Sequence, residues 1–242
     1  MEEDDLIKEA EEALKELEGN KHHHHHHTAH LHEHGDKRPN PFAYLLVLIL
    51  LLIIIMMAVP YYGIKLDPVP KVIPSREDVL HLSSSADEIP SIEEGSRADY
   101  TKVIVPSHQG IRNTAVKIAT SDCKSSDVCY AKALFFFVRD NFHYIGDPPN
   151  EYLDGPFETM HAGASDCDGL AILLANFQLA VGIPTRLAFI PGHVYVQVKI
   201  DKAPNKYKED DGWISLDPTC KTCEFGEVPY STLNKRKEFL YV

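Results

Sequence analysis

The stretch Gly163–Arg186, GASDCDGLAILLANFQLAVGIPTR, decides how the C-terminal half of this 242-residue chain folds. Asp166 is a helix N-cap residue, because its short carboxylate can accept N–H groups that the first turn leaves unpaired. The apolar run from Leu170 to Val181 has the length of a helix, and Gly182 followed by Pro184 ends it. Cys167 therefore opens the helix. There its sulfur faces unpaired N–H groups and the positive end of the helix dipole, and both favour thiolate over thiol.

Beyond the helix, the pattern changes to a period of two. TRLAFIP (Thr185–Pro191) and GHVYVQVKI (Gly192–Ile200) read as paired strands, with Val194, Val196, Val198 and Ile200 on one face and His193 and Tyr195 on the other. GWISLDP (Gly212–Pro218) reads as a third strand, with Trp213, Ser215 and Asp217 opposite Ile214 and Leu216. A cysteine at a helix start, a strand histidine and a strand aspartate thus arrive in that order. A thiol nucleophile needs an imidazole to take its proton, and the imidazole needs a carboxylate on its far nitrogen to fix its tautomer and orientation. Singly, each residue has an ordinary reading: an inert buried thiol, a satisfied strand histidine, a turn residue before Pro218. Their order and spacing single them out together.

This block resembles the transglutaminase-like superfamily, within the wider papain-like group of thiol enzymes. The matching pieces are the small-residue turn around Cys167, GIPTR at Gly182–Arg186, HVY at His193–Tyr195 and GWISLDPT at Gly212–Thr219. PFET at Pro156–Thr159 is similar to a version common in prokaryotic members, and the likeness runs roughly from Val128 to Thr219. The resemblance implies an α+β fold with helices packed on an antiparallel sheet. It also implies Cys167 as nucleophile, His193 as base and Asp217 as its orienter, with Asp166, Tyr195 and Trp213 about the substrate cleft. Asp166 carries a charge that opposes the thiolate unless it is turned away as a cap. The implied activity is acyl transfer or hydrolysis at a glutamine carboxamide or peptide bond, with no cofactor required. The competing reading is a non-catalytic module that keeps the fold to bind peptide or envelope components.

Upstream, Ile111–Thr120 and Val128–Phe142 read as helices, the second burying Ala131, Leu134, Phe135, Val138 and Phe142. Asp147–Pro156, DPPNEYLDGP, reads as a loop. Phe42–Val59, FAYLLVLILLLIIIMMAV, carries no charge and lies between Pro41 and Pro60, which fits a single membrane-spanning helix that is not cleaved. Lys37 and Arg38 before it are nearly balanced by Lys65, Lys71 and Arg76 after it. The favoured orientation places the large C-terminal part outside the cell, since long domains translocate largely regardless of flanking charge.

Residues 4–19 read as a short acidic helix with Leu6, Ala10, Ala13 and Leu17 on one face. Next comes a His-rich tract, either native or a tag remnant, in which His22, His24, His26, His30, His32 and His34 would bind Zn, Ni or Cu loosely. A solvated linker is the plainer reading. Pro68, Pro70 and Pro74 suggest a semi-extended stalk over 60–96. The expected organisation is therefore a tail at 1–41, a transmembrane helix at 42–59, a stalk at 60–96 and a folded domain at 97–242.

Of five cysteines, Cys123 with Cys129 and Cys220 with Cys223 form two close pairs, which leaves Cys167 over. Outside the cell the pairs suit disulfides; inside, they could instead assemble a four-thiolate structural zinc site. A net charge of -12 and a pI near 5.6 run against a nucleic-acid partner. A protein or peptide substrate near the membrane surface suits the anchor and stalk better.

Overall fold

The computed structural model describes residues 41–82, 92–93, 97, 99–146 and 152–242. The expected acidic helix and His-rich tract lie outside the described residues. The chain divides into two compact units, 1–52 and 53–242. Helix α1 (Pro41–Leu66) begins on a proline, whose missing N–H costs nothing in the first turn. None of its side chains is buried. At about 1.5 Å per residue it is long and apolar enough to cross a membrane. It also runs seven residues past the expected end at Val59. Pro60 removes one backbone hydrogen bond, yet an apolar helix of this kind carries a proline without ending.

The stretch 60–96, expected as a stalk, is partly folded onto the rest of its unit. Asp67 pairs with the buried ammonium of Lys132 and accepts the hydroxyl of Tyr207 at 2.7 Å. The Lys71 N–H donates to Asp122 at 2.6 Å. Helix α2 (Arg76–Leu80) starts in a capping box: Ser75 Oγ accepts the Asp78 N–H while Asp78 accepts the Ser75 N–H. It buries Val79, and Arg76 donates to the carbonyl of His161 at 2.9 Å. Strand β1 (Ile92–Glu93) pairs antiparallel with Tyr152–Leu153. A domain boundary at Arg97 is therefore too late. Five- and two-residue elements held by caps and ladders leave no hydrophobic period to read.

Helices α3 (Tyr100–Val103), α4 (Gln109–Thr120) and α5 (Asp127–Asn141) follow, then strand β2 (His143–Tyr144) and strand β3 (Tyr152–Leu153). Helix α6 (Pro156–Ala162) and strand β4 (Ala164–Ser165) lead into α7 (Cys167–Ala180). Strands β5 (Thr185–Ile190), β6 (His193–Lys199), β7 (Trp213–Leu216) and β8 (Glu238–Tyr241) complete the chain. They form one antiparallel sheet in the order β7-β6-β5-β8. The β5–β6 hairpin closes on Pro191 and Gly192, and Gly192 has φ +75°, which a side chain would strain. That turn sets His193 opposite Ile190.

Helix α7 is buried nearly all round because it sits between α4, α5 and the sheet. Leu187, Phe189, Val194, Val196, Val198, Ile214 and Leu216 join the helices in one core. The opposite sheet face carries a small cluster of Ala188, Ile190 and Tyr195. Beside it lies a buried polar network in which Gln197 accepts Arg186 Nε at 2.7 Å and donates to Ser215 at 3.0 Å. Strand β8 had no sequence signal, being four residues that follow a charged run. Cys123–Cys129 and Cys220–Cys223 are disulfides, and sulfurs so bonded have no thiolate to offer the zinc alternative.

Candidate active site

The site is built on the first turn of α7. Asp166 accepts the N–H groups of Asp168 and Gly169, each at 3.0 Å, so its carboxylate is turned into the helix as a cap. Gly169 has to be glycine: a Cβ there would overlap Ser165 Oγ and approach Asp154 to 2.9 Å. This close packing against β4 fixes where the helix begins. Cys167, at the first helical position, is half-buried and is the free cysteine of the chain.

Its surroundings reverse the expectation drawn from the helix dipole. Burial pushes the Cys167 thiol up to about 12, with the charges of Asp168 and Asp166 adding to the rise and the Val194 N–H opposing it. The sulfur stands 3.3 Å from Asp168 Oδ1, close enough for the S–H to donate to it. Asp168 also accepts the hydroxyl of Tyr100. Burial, then the Asp168 charge, raise the Tyr100 phenol, so that it stays protonated. Tyr100 is delivered by α3. The buried Asn176 of α7 holds the end of that helix, donating to the Val103 carbonyl at 3.0 Å and accepting the Val105 N–H at 2.6 Å. Asp168 escaped the sequence reading, although a second carboxylate flanking the cysteine in the tripeptide Asp166–Asp168 was a visible signal.

His193 opens β6, and Asp217 follows β7 on the neighbouring strand. His193 Nε2 lies 2.8 Å from Asp217 Oδ2. Asp217 is wholly buried, and its other oxygen accepts both the N–H and the hydroxyl of Thr219, at 3.1 and 2.6 Å. The carboxylate is thus held on both sides. With Nε2 so engaged, Nδ1 is the ring nitrogen left for proton transfer. Cys167 and His193 line one cleft of about 330 Å3, together with Asp166, Asp168, Tyr100 and Phe189. Tyr152 and Leu153 of β3 and Arg97 complete its rim.

Two expected cleft residues lie elsewhere. Tyr195 is wholly buried on the second face of the sheet, where its ring stacks behind His193 at 6.2 Å. Trp213 packs against the Arg186 guanidinium at 4.3 Å and Tyr241 at 5.8 Å. Neither lines the cleft. Alternation gave the face of each residue correctly, but the partners from distant strands that cover that face, such as Arg186 and Tyr241 on Trp213, are invisible to it. Asp166, Cys167 and Asp168 also place three donor atoms within 4.8 Å of one another, so they are the residues here that could approach a cation. Two of the carboxylate oxygens already serve the cap and the tyrosine.

Residues 113–218, a span that contains Cys167, His193 and Asp217, match the transglutaminase-like superfamily. They form a transglutaminase-like domain. Among curated proteins there is no match. Among solved structures, the transglutaminase-like domain and its flanks are similar to a cysteine protease candidate from Cytophaga hutchinsonii, at 19% identity and a TM-score of 0.37 over 61% of this chain and 48% of that one. The chain thus spans about half the length of that protein. LapG of Legionella pneumophila is 16% identical with a TM-score of 0.39, covering 69% of this chain and 83% of its own.

Proposed function

We propose that this chain is a thiol enzyme that carries out acyl transfer or hydrolysis at a glutamine carboxamide or peptide bond of a protein or peptide. The observation that carries this reading is the His193–Asp217 bond at 2.8 Å on the wall of the cleft that also holds the free thiol. In this reading His193 Nδ1 takes the Cys167 proton as the sulfur attacks the carbonyl carbon. Because the resting thiol is raised to about 12, proton removal accompanies attack and no standing thiolate precedes it. The cap on Asp166 leaves the N–H of Cys167 as a donor to the oxyanion. The imidazolium then protonates the departing amine, and water or a second amine releases the acyl group from sulfur.

The same raised thiol favours a second reading, a binding module whose cysteine no longer turns over. Incubating the full chain with a glutamine-rich casein digest and weighing the Cys167 peptide by mass spectrometry separates the two. An acyl adduct that disappears in Cys167→Ala and His193→Ala supports the enzyme. Saturable peptide binding without any adduct overturns it in favour of the module. For location, the proposal is a single-pass anchor through α1 with the domain outside the cell, a side that suits two disulfides.

A further inference from the structure

Where α1 ends, the unit that contains residues 53–242 carries a groove of about 1380 Å3 that belongs to no part of the candidate active site. It runs from Tyr62 along the chain to Lys71 and is closed by the Cys123–Cys129 loop and by Ile200 and Lys202. Its lining is amphipathic. Leu66 and Val69 supply an apolar floor, while Lys65, Lys71, Lys124 and Lys202 supply four ammonium groups. Among the described residues none of these four ammonium groups has a carboxylate partner. Two acidic residues line the groove as well, Asp122 and Asp127, and Asp122 is engaged by the Lys71 N–H. A local excess of cations is notable on a chain whose net charge is -12.

Position gives this charge a partner. The unbroken hydrophobic run ends at Val59, and Tyr61 and Tyr62 follow it, the residue type that settles at the boundary between hydrocarbon and headgroups. Lys65 lies about one helical turn farther on. The groove therefore begins at headgroup depth. We propose that it holds an anionic glycerophospholipid, with the phosphate among the lysines and the start of the acyl chains along Leu66 and Val69. The complementarity is of both kinds, since an anionic headgroup meets unpaired ammonium groups and an apolar stem meets apolar floor. This inference rests on the membrane-anchored reading of α1 and is independent of the catalytic one.

The test uses the full chain in nanodiscs of phosphatidylcholine with 30% phosphatidylglycerol, about one lipid in three being anionic. Native mass spectrometry then counts the lipids retained on release. The expected result is retained phosphatidylglycerol in excess of its share, with the excess falling about fivefold per lysine removed in Lys124→Gln and in Lys124→Gln/Lys202→Gln, and unchanged in Lys235→Gln. Retention of the two lipids in proportion to supply, or an excess that both groove variants keep, overturns the proposal. Should the groove variants melt early, photoactivatable phosphatidylglycerol on the unaltered chain decides: labelling within 62–71 and 122–129 supports the site, and labelling confined elsewhere overturns it. A carbonate wash of the same membranes isolates the underlying reading. A chain stripped by carbonate refutes the anchor and this site with it, whereas a retained chain without lipid preference refutes the site alone.

Discussion

Replacing Asp168 by asparagine should make Cys167 more reactive. The carboxylate oxygen lies 3.3 Å from the sulfur, and an asparagine keeps the shape while removing the charge. At that separation two unit charges repel by about 1.3 kcal/mol at the dielectric of water and about 5 kcal/mol at an effective value near 20. Both residues are partly exposed, so the lower part of the range applies, and the thiol pKa should fall by about one to two units. Thiolate then rises about 10- to 100-fold at a fixed pH below the pKa. A less basic thiolate is also less nucleophilic, with a Brønsted slope of about 0.4–0.5. The net gain in alkylation by iodoacetamide is therefore about 3- to 15-fold at pH 8. Because the other four cysteines are disulfide-bonded, the loss of free thiol reads Cys167 alone. An alkylation rate unchanged or lowered in Asp168→Asn would falsify the idea that this carboxylate holds the thiol protonated.

Three further outcomes follow from the same contacts. Asp217→Asn should leave the fold intact and slow acyl-adduct formation by about a thousandfold, because an amide presents a donor where Nε2–H needs an acceptor; an adduct rate within tenfold of normal refutes the orienting role. Asp166→Ala removes the acceptor of two N–H groups and should cost about 1 kcal/mol in urea unfolding, with no change meaning that the cap contributes nothing. At Asp67, burial works to raise the carboxyl, but hydrogen bonds from Lys132, Lys206 and Tyr207 outweigh it and hold it below the usual range. A depressed folded-state value gives stability that is present at neutral pH and is lost as pH falls below about 4. The acid slope of stability should therefore be shallower in Asp67→Asn, and an identical slope would show that the pair adds no pH dependence.

The parts of the structure legible in the sequence are those whose signal is local. Asp166, Gly182 and Pro184 mark both ends of α7, and the valines of β6 mark the strand face that meets it. The parts that were not legible depend on distant partners. Helix α2 exists through its cap and the reach of Arg76 to α6, and β8 exists because β5 offers it an edge. Tyr195 and Trp213 share a face with His193 and Asp217, yet they are buried away from the cleft, Trp213 against Arg186 of β5 and Tyr241 of β8. The thiol shows the same limit energetically: the helix terminus is readable from spacing, but desolvation by the surrounding walls is not, and it dominates.

The ion pair between Asp67 and Lys132 also sets a length scale. Thirty-seven unstructured residues between an anchor and a domain would let the domain wander about 30–35 Å, a flexible leash that dilutes a catalytic group through a large volume above the bilayer. Here the first residue after α1 is already bonded into the fold, so the free tether has almost no residues in it. A long tether explores distance, whereas a chain bonded at its first residue past the helix adds almost no slack to the proposed anchor. Under the proposed anchoring and the proposed acyl chemistry, a target would carry its reacting bond within that short reach of the membrane, and moving the bond by a few residues along a membrane-bound target should slow its reaction.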